Sequence, residues 1–295
     1  KSDTVALVTH RRHLADFIAL TKPRLNSLVV ATAGVGYLLG VTASFEISVA
    51  LHVLLGAGLV AGGAAALNQI AERDIDESMH RTRQRPIPTG RLTPTEGRLF
   101  AVGISLLGLV ELALGTNLVA AAVAATTTII YVGIYTPLKR RTSLATIIGA
   151  IPGALPPVIG WTAARGALTI EAWVLFGIVF FWQMPHFHAL SWMHREDFRR
   201  AGLPLIATQD EDGRRTARHA AFFSLLLLPV SLTPTAVGLS GKPYLLFAGG
   251  LGLGFLFLAI QFMTKPTETR ARRLFIGSLV YLPALWIFLL TSRLW

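Results

Sequence analysis

The sequence predicts an all-α, polytopic membrane protein with about nine transmembrane helices around a central cavity. Of its 295 residues, 53% are hydrophobic and only 15% are charged, whereas soluble domains carry about 25% charged residues. The apolar residues form separate runs of about 20, which is long enough to cross a hydrocarbon core about 30 Å thick. Basic residues collect in alternate connections between these runs. Together these observations indicate a chain that crosses the bilayer repeatedly.

Nine runs have the length of a membrane span, and apolar residues extend almost all the way round each of them, as in helices that face lipid. We therefore predict residues 1–24 as a cytoplasmic N-terminal segment and residues 25–295 as a single nine-helix domain. The predicted spans are Leu25–Ala43, Val49–Ile70, Leu99–Leu114, Leu118–Tyr135, Leu144–Ala163, Glu171–Met193, Ala217–Leu239, Tyr244–Met263 and Leu274–Thr291.

The distribution of Lys and Arg predicts the orientation. Of the 27 basic residues, 24 lie in the N-terminal segment and in the connections on the same side of the membrane as that segment. Only Arg165, Lys242 and Arg293 lie on the opposite side of the membrane. Because cytoplasmic loops are enriched in Lys and Arg, the N-terminus and the two long loops, 71–98 and 194–216, are predicted to be cytoplasmic and the C-terminus to lie outside. This topology accounts for the net charge of +11 without a nucleic-acid partner.

The sequence also narrows the chemistry and the compartment. There is no cysteine, so disulfides, thiolate metal sites and cysteine nucleophiles are excluded. Residues 1–21 lack the pattern of a cleavable signal peptide, and Lys1 indicates a processed or trimmed start. The short length and the absence of a transit-like extension favour a bacterial plasma (inner) membrane over the mitochondrial inner membrane.

The first group of candidate site residues stands at the cytoplasmic end of the second span. Asn68, Glu72 and Asp76 are spaced four apart, so a helix would present three oxygen-bearing side chains on one face. Oxygen ligands suit Mg²⁺, which commonly binds one or two carboxylates together with substrate phosphate oxygens. Arg81 and Arg85 follow in the same loop, and guanidinium groups match phosphate geometry. This pattern favours a Mg²⁺-bridged diphosphate site over a solvated helix end with ion pairs.

The second group lies in and after the sixth span. Glu196 and Asp197 occupy the junction with the inner loop, as the first acidic group does after span two, and they suggest a second metal site; a capping or surface pair is the alternative. His186 and His188 lie inside the span. Polar groups at that depth usually face a cavity and often have a function, so they suggest a binding pocket, against the alternative of simple hydrogen-bonded core histidines.

The third group follows the fourth span. Lys139 and Arg140 are candidates for phosphate contacts, although cytoplasmic loops carry basic residues for topological reasons alone. The ring of Tyr135 could face a developing cation or anchor the helix at the interface. Lys22-Pro23-Arg24, just before the first span, is ambiguous for the same topological reason.

These residues together resemble the signature of the intramembrane UbiA-type prenyltransferases, and in detail that of the protohaem IX farnesyltransferases, or haem O synthases, within that superfamily. The resemblance extends from Lys22 to about Ile206. It is carried by the following motifs: Asn68-x3-Glu72-x3-Asp76, Met79-x-Arg81-Thr82, Arg85-Pro86-Ile87-Pro88-x-Gly90, Tyr135-Thr136-x-x-Lys139-Arg140, Trp182-Gln183-Met184-Pro185-His186-Phe187 and Asp197-Phe198-x-x-Ala201-Gly202-x-Pro204.

The resemblance implies a reaction and roles for these residues. Farnesyl diphosphate would ionise, its allylic cation would attack the 2-vinyl group of haem B, and water would capture the resulting cation to give haem O and diphosphate. Two departures concern the metals: Glu72 stands where many members have Asp, and His194 replaces an expected acidic partner of the second site. The implied roles are a first Mg²⁺ on Asn68, Glu72 and Asp76, a second on Asp197 with Glu196, diphosphate contacts from Arg81, Arg85, Lys139 and Arg140, catalysis with Tyr135, and haem contacts from His186 and then His188.

Three other functions remain open from the sequence. Another UbiA-type prenyltransferase, acting on an aromatic acid or quinone precursor, would use the same Mg²⁺ and arginine set, although paired histidines suit a porphyrin better than a small phenol. A transporter would explain the spans but usually carries its site near the midplane, not at the membrane edge. A non-catalytic haem-handling subunit is the third. Expected partners are farnesyl diphosphate, haem B and the lipid bilayer, with haem A synthase as a candidate protein partner.

Overall fold

The structure, a computed structural model, describes residues 13–42 and 44–292, and in this part of the chain the regular structure is helical. Residues 13–20 form α1. The helices after it are α2 (Pro23–Gly40), α3 (Ile47–Ala71), α4 (Arg73–Ser78), α5 (Pro94–Gly115), α6 (Leu118–Thr128), α7 (Thr136–Leu138), α8 (Ala145–Ala154), α9 (Pro156–Arg165), α10 (Ile170–Met193), α11 (Arg195–Arg200), α12 (Ile206–Gln209), α13 (Arg214–Ala236), α14 (Lys242–Thr264) and α15 (Glu268–Ser292), with a π-helix, Ile129–Tyr135, between α6 and α7. The predicted all-α class is confirmed.

Eight segments in the described part are long and apolar enough to cross a membrane, judged by length and composition. They correspond to eight of the nine predicted spans. The predicted first span corresponds to α2, an 18-residue helix that is not among the eight because Arg24 and Asn26 fall in its first turns. It nevertheless packs against α9 and α3 as part of the bundle. The chain is therefore a multi-pass membrane protein.

Small residues allow α2 and α9 to approach closely. A side chain on Gly36 would place its Cβ 1.9 Å from the carbonyl oxygen of Pro157, and one on Gly160 would lie 1.8 Å from that of Ala33. Both distances are far below van der Waals contact, so only glycine fits. Close backbone contact at small residues is a common way for helices to associate in membranes, where lipid removes the hydrophobic driving force.

Two predicted spans are irregular in the structure. The predicted span Leu144–Ala163 is divided at Leu155 into α8 and α9, because Pro156 and Pro157 supply no backbone N–H for the preceding turn. The predicted span Leu118–Tyr135 ends in the π-helix, where the Thr136 N–H donates to the carbonyl oxygen of Tyr131 five residues earlier. Sequence periodicity alone did not predict this wider turn.

Both long loops are shorter than predicted because helices extend into them. Thr93 and Glu96 form a capping box that starts α5 within predicted loop 71–98, and α4 lies in the same segment. Predicted loop 194–216 contains α11, α12 and the start of α13. The two segments pack together at one end of the bundle through an apolar cluster that includes Ile75, Met79, Phe198 and Leu203.

Candidate active site

The acidic face predicted at the end of α3 is buried in the structure. α3 ends at Ala71, but the N–H of Glu72 donates to the carbonyl oxygen of Asn68 at 3.0 Å, and the N–H of Asp76 to that of Glu72 at 2.8 Å. Helical spacing thus continues across the junction with α4, and each of the three residues is only 3% exposed. Three oxygen-bearing side chains are therefore stacked beneath the loops.

Each of these oxygen groups is matched by a cation from another segment. Lys139 Nζ lies 2.6 Å from Glu72 Oε1. Arg85 Nη1 lies 2.7 and 2.6 Å from the two carboxylate oxygens of Asp76. Lys22 Nζ donates to Asn68 Oδ1 at 3.2 Å. Two buried carboxylates without cations would be strongly unfavourable. Lys139 and Arg85 compensate the two negative charges, and Lys22 adds a positive charge beside a neutral amide.

Lys22 is a site residue whose role the sequence left ambiguous. Its backbone lies in the left-handed region, with φ 48° and ψ 58°, at the residue before α2, where a non-glycine residue is uncommon and strain often accompanies function. Burial, followed by the positive charge of Arg85, lowers the pKa of Lys22 to about 8. An anion bound beside it would favour its charged form. The neighbouring proline, which fixes the backbone, was the only sequence signal.

The donor set fits a hard dication. Among residues 13–42 and 44–292, no three His, Asp or Glu side chains are arranged to enclose a metal ion. However, Glu72 Oε1 is buried and lacks a hydrogen bond of good geometry despite its contact with Lys139. Asn68 is oriented by a 3.1 Å hydrogen bond from Nδ2 to Thr136 Oγ1, so its amide oxygen faces Lys22. Two carboxylates and an amide oxygen on one face are suitable ligands for Mg²⁺.

The π-helix places two tyrosine rings beside this charged group. Tyr131 and Tyr135 stack with ring centroids 5.6 Å apart and an interplanar angle of 15°. Lys139 Nζ lies 5.8 Å from the centroid of the Tyr135 ring, so this ring already faces a cation. Wider π turns are frequent at functional sites. Tyr131 was not predicted, because its exposure to the cavity depends on that irregular turn.

The remaining predicted loop residues lie further out. Arg140 is exposed and donates to the carbonyl oxygen of Ala71 at 3.0 Å, which caps the end of α3. Glu196 pairs with Arg199 and its side chain is 65% exposed. Their predicted roles in diphosphate and metal binding stay predictions.

Asp197 and Arg81 connect the two loop segments. The Asp197 side chain is 14% exposed and pairs with Arg200 at 3.3 Å. Its Oδ1 also accepts a 3.3 Å hydrogen bond from the N–H of His80. Arg81 lines the same surface pocket as Asp197, His80 and His194. Asp197 is thus placed to join the loops, and its predicted metal role is not tested by these contacts.

Three neighbouring chambers with shared lining residues lie beside the charged group and within the bundle. The middle chamber, about 250 Å³, is lined by Lys22, Asn26, Ala64, Tyr131 and Pro152, among others. The lateral chamber, about 350 Å³, shares Val29, Gly153 and Pro156 with it and continues between α2 and α15 along Leu28, Leu279, Leu282 and Ile287. The histidine chamber, about 170 Å³, shares Tyr131 and Gly149 with the middle chamber and is further lined by Tyr135, Gln183, Met184, His186 and Phe187.

The lateral chamber is lined mainly by apolar side chains, and part of that lining lies on the outer surface of the bundle. Leu28 on α2 and Ile287 on α15, which both line it, are 57% and 63% exposed.

The structure separates the two predicted histidines. His186 lines the histidine chamber. His188 is 2% exposed, has a buried Nε2 without a partner, and faces His219 on α13 at a centroid distance of 5.5 Å. Two residues apart on a helix correspond to nearly opposite faces, so the two side chains cannot share one pocket. Of the pair, His186 alone faces the cavity.

The candidate site is a buried charged group next to chambers lined mainly by apolar side chains of the helix bundle. The family model of the UbiA prenyltransferase family matches residues 28–291. The chain belongs to this family and is a prenyltransferase.

More specific similarity comes from relatives over nearly the whole chain. A protoheme IX farnesyltransferase of Solibacter usitatus (strain Ellin6076) is 45% identical over 289 residues, covering 95% of this chain and 99% of that relative. The protein of the same name from Opitutus terrae is 42% identical over 281 residues, covering 95% of each.

Solved structures show the same fold. A digeranylgeranylglyceryl phosphate synthase aligns with a TM-score of 0.81 at 17% identity, covering 96% of this chain and 99% of that one. A UbiA homologue from Archaeoglobus fulgidus, solved with GPP and Mg²⁺, aligns with a TM-score of 0.67 at 16% identity, covering 94% and 99%. At these identities the likeness concerns the fold alone.

Proposed function

We propose that this chain transfers the farnesyl group of farnesyl diphosphate to the 2-vinyl group of haem B, with addition of water, and releases haem O and diphosphate. The observation that carries this proposal is the position of the histidine chamber, which shares Tyr131 and Gly149 with the middle chamber that Lys22 lines. Relatives named protoheme IX farnesyltransferase, 39–45% identical to this chain, support the choice of acceptor.

The charged group suits the ionisation step. When the C1–O bond of farnesyl diphosphate breaks, both electrons leave with the diphosphate, so positive charge beside its oxygens lowers the barrier. Lys22, Lys139 and Arg85 would supply that charge by exchanging their present carboxylate and amide partners for diphosphate oxygens.

Divalent metal use is supported by the donor set and by the A. fulgidus homologue solved with Mg²⁺. Asn68, Glu72 and Asp76 would hold Mg²⁺, which neutralises further charge on the departing diphosphate. The buried, poorly hydrogen-bonded Glu72 Oε1 is the oxygen that gains most from such an ion.

The cavity suits the carbon–carbon bond-forming step. The allylic cation must avoid water until it meets the vinyl group, and apolar walls limit the access of water. The faces of Tyr131 and Tyr135 can stabilise the passing positive charge, by about 0.5–2 kcal/mol in general for such contacts. C1 of the farnesyl group would bond to the terminal vinyl carbon, and water would add to the inner carbon with loss of a proton.

The charge distribution supports the orientation. The charged group and the loops that cover it lie at the end of the bundle rich in Lys and Arg, which we propose faces the cytoplasm. Farnesyl diphosphate and Mg²⁺ would then reach the site from that side, and haem B from the bilayer. We propose the bacterial inner membrane as its location.

Purified protein with haem B, farnesyl diphosphate and Mg²⁺ tests the proposal, with products identified by mass. We expect haem O in the presence of Mg²⁺ and none in EDTA. D76N should abolish turnover, whereas the matched control D74N should retain it. Asp74 lies on the same helix but is 71% exposed and, among the described residues, pairs with its neighbour Arg73.

Prenylation of an added phenolic acid, without haem O, would overturn the haem assignment in favour of an aromatic-acid or quinone-precursor prenyltransferase. Full activity of D76N would overturn the metal assignment. Because the family is that of prenyltransferases, transport and non-catalytic haem handling are not supported.

A further inference from the structure

We propose that Ser278 on α15 is a positioning residue that orients His186 so that its Nε2 lone pair serves as an axial ligand to the iron of haem B. The inference rests on the proposed function, since it assumes that haem B binds with its iron beside the histidine chamber. It assigns a role to α15, a helix for which the sequence motifs indicated none.

The Ser278 hydroxyl lies where it can set the tautomer of His186. Ser278 is fully buried, and its Oγ lies 2.5 Å from the carbonyl oxygen of Phe275 and 2.7 Å from His186 Nδ1. A hydroxyl has one hydrogen. In the proposed arrangement that hydrogen is donated to Phe275, and Nδ1 carries the imidazole proton and donates it to Ser278 Oγ. The lone pair of the neutral imidazole is then on Nε2.

Aromatic contacts fix the plane of the His186 ring. The Trp182 ring stacks on it at 5.2 Å with an interplanar angle of 25°, and the Phe275 ring lies 4.7 Å away on α15. Trp182 is itself held by Ser278, because its Nε1–H donates to the Ser278 carbonyl oxygen at 2.8 Å. One residue of α15 thus holds both the imidazole and the indole that stacks on it.

The His186 side chain lines the histidine chamber, and in the proposed arrangement its Nε2 edge faces the iron. Within residues 13–42 and 44–292, His186 makes its hydrogen bond through Nδ1, and no hydrogen bond is formed by Nε2. The ring lines the chamber together with Tyr135, Gln183 and Phe187. A neutral imidazole with its other nitrogen hydrogen-bonded is the usual form of a histidine that ligates iron. His188 cannot take this role because it faces α13.

Titration of ferric haem B into the purified protein, followed in the Soret region, tests the assignment. We expect an imidazole-ligated spectrum in the wild type that is lost in H186A. S278A should bind haem about 10–100-fold more weakly, as is typical when the hydrogen-bond partner of a metal ligand is removed. The matched control S231A removes another fully buried serine hydroxyl, which contacts Tyr281 away from the chambers, and should bind like wild type.

A double-mutant cycle separates positioning from general damage to the fold. If Ser278 acts through His186, S278A should cause no further loss of haem affinity in an H186A background, whereas independent effects would add. Thermal unfolding of all variants in detergent accompanies the titrations. An additive loss would overturn the inference, as would wild-type affinity and spectrum in S278A.

The outcome remains distinguishable from failure of the proposed function. Formation of haem O by a wild-type protein whose haem spectrum shows no histidine ligation would overturn the inference and leave the proposed function standing. Absence of haem O under all conditions would overturn the proposed function itself. Loss of turnover in S278A with an unchanged haem spectrum would assign His186 to a proton-transfer step and also overturn the ligand role.

Discussion

Replacing Arg85 by methionine tests whether cations balance the buried carboxylates until a dication binds. Arg85 Nη1 contacts both oxygens of Asp76 within 2.7 Å, and the Asp76 side chain is 4% exposed against 26% for Arg85. Removing one partner of a buried ion pair costs about 3–5 kcal/mol, because the other charge is left uncompensated. Since Arg85 is partly solvated, we expect R85M to destabilise the protein by about 3 kcal/mol, at the lower end of that range.

The control for R85M is R91M, which removes an arginine from the same loop. Arg91 Nε lies 2.9 Å from Asp16 Oδ1, but its side chain is 44% exposed. Surface pairs of this kind contribute about 1 kcal/mol or less, so R91M should remain close to wild type.

Unfolding in detergent, measured with EDTA and again with Mg²⁺, distinguishes these variants. R85M should be destabilised in EDTA and should regain part of the loss in Mg²⁺, because a dication on the carboxylates replaces the missing positive charge. R91M should show no such difference from wild type. Wild-type stability of R85M in EDTA, or a deficit that Mg²⁺ does not change, would refute the reasoning.

Three further substitutions test the remaining parts of the site and fold. K139M should lower kcat/KM for farnesyl diphosphate by about 100-fold or more, as expected for loss of a group that stabilises developing negative charge. R140M should lower kcat/KM far less, because Arg140 caps a helix. Equal losses in the two variants would contradict these different roles. Y135L should reduce turnover about tenfold while Y135F stays near wild type, since the ring face and not the hydroxyl stabilises the cation. A Y135F defect as large as that of Y135L would contradict this role of the ring. G160A should prevent purification of a monodisperse protein, because its Cβ would lie 1.8 Å from a carbonyl oxygen of the facing helix. G103A should purify normally, because its Cβ would meet nothing within 4 Å. Normal purification of G160A would contradict the close contact.

Spacing within one segment could be predicted well. Asn68, Glu72 and Asp76 keep helical spacing across the junction of α3 and α4, so their shared face follows from the helical period alone. The boundaries of most membrane spans also followed from the apolar runs. The π-helix at Ile129–Tyr135 did not, because a wider turn depends on contacts such as that between Thr136 and Tyr131 and leaves no periodic signal.

Contacts between distant segments could not be predicted. Lys22 looked like an ordinary basic residue at a membrane edge until its 3.2 Å contact with Asn68 placed it in the charged group. His186 was preferred to His188 from the sequence, but only the structure shows that they face α15 and α13 respectively. Ser278 lies in a span without a recognised motif and still makes the hydrogen bond that orients His186.

The sequence by itself determined the fold class, the approximate spans and the kind of chemistry. Hydropathy and residue type are local properties, and motif spacing within a helix needs only the helical period. The tertiary structure decided which side chains from different helices meet. The physical reason is that a membrane helix is apolar nearly all round, so its pattern does not indicate how it is rotated about its own axis. That rotation is set by packing, such as the close glycine contacts between α2 and α9.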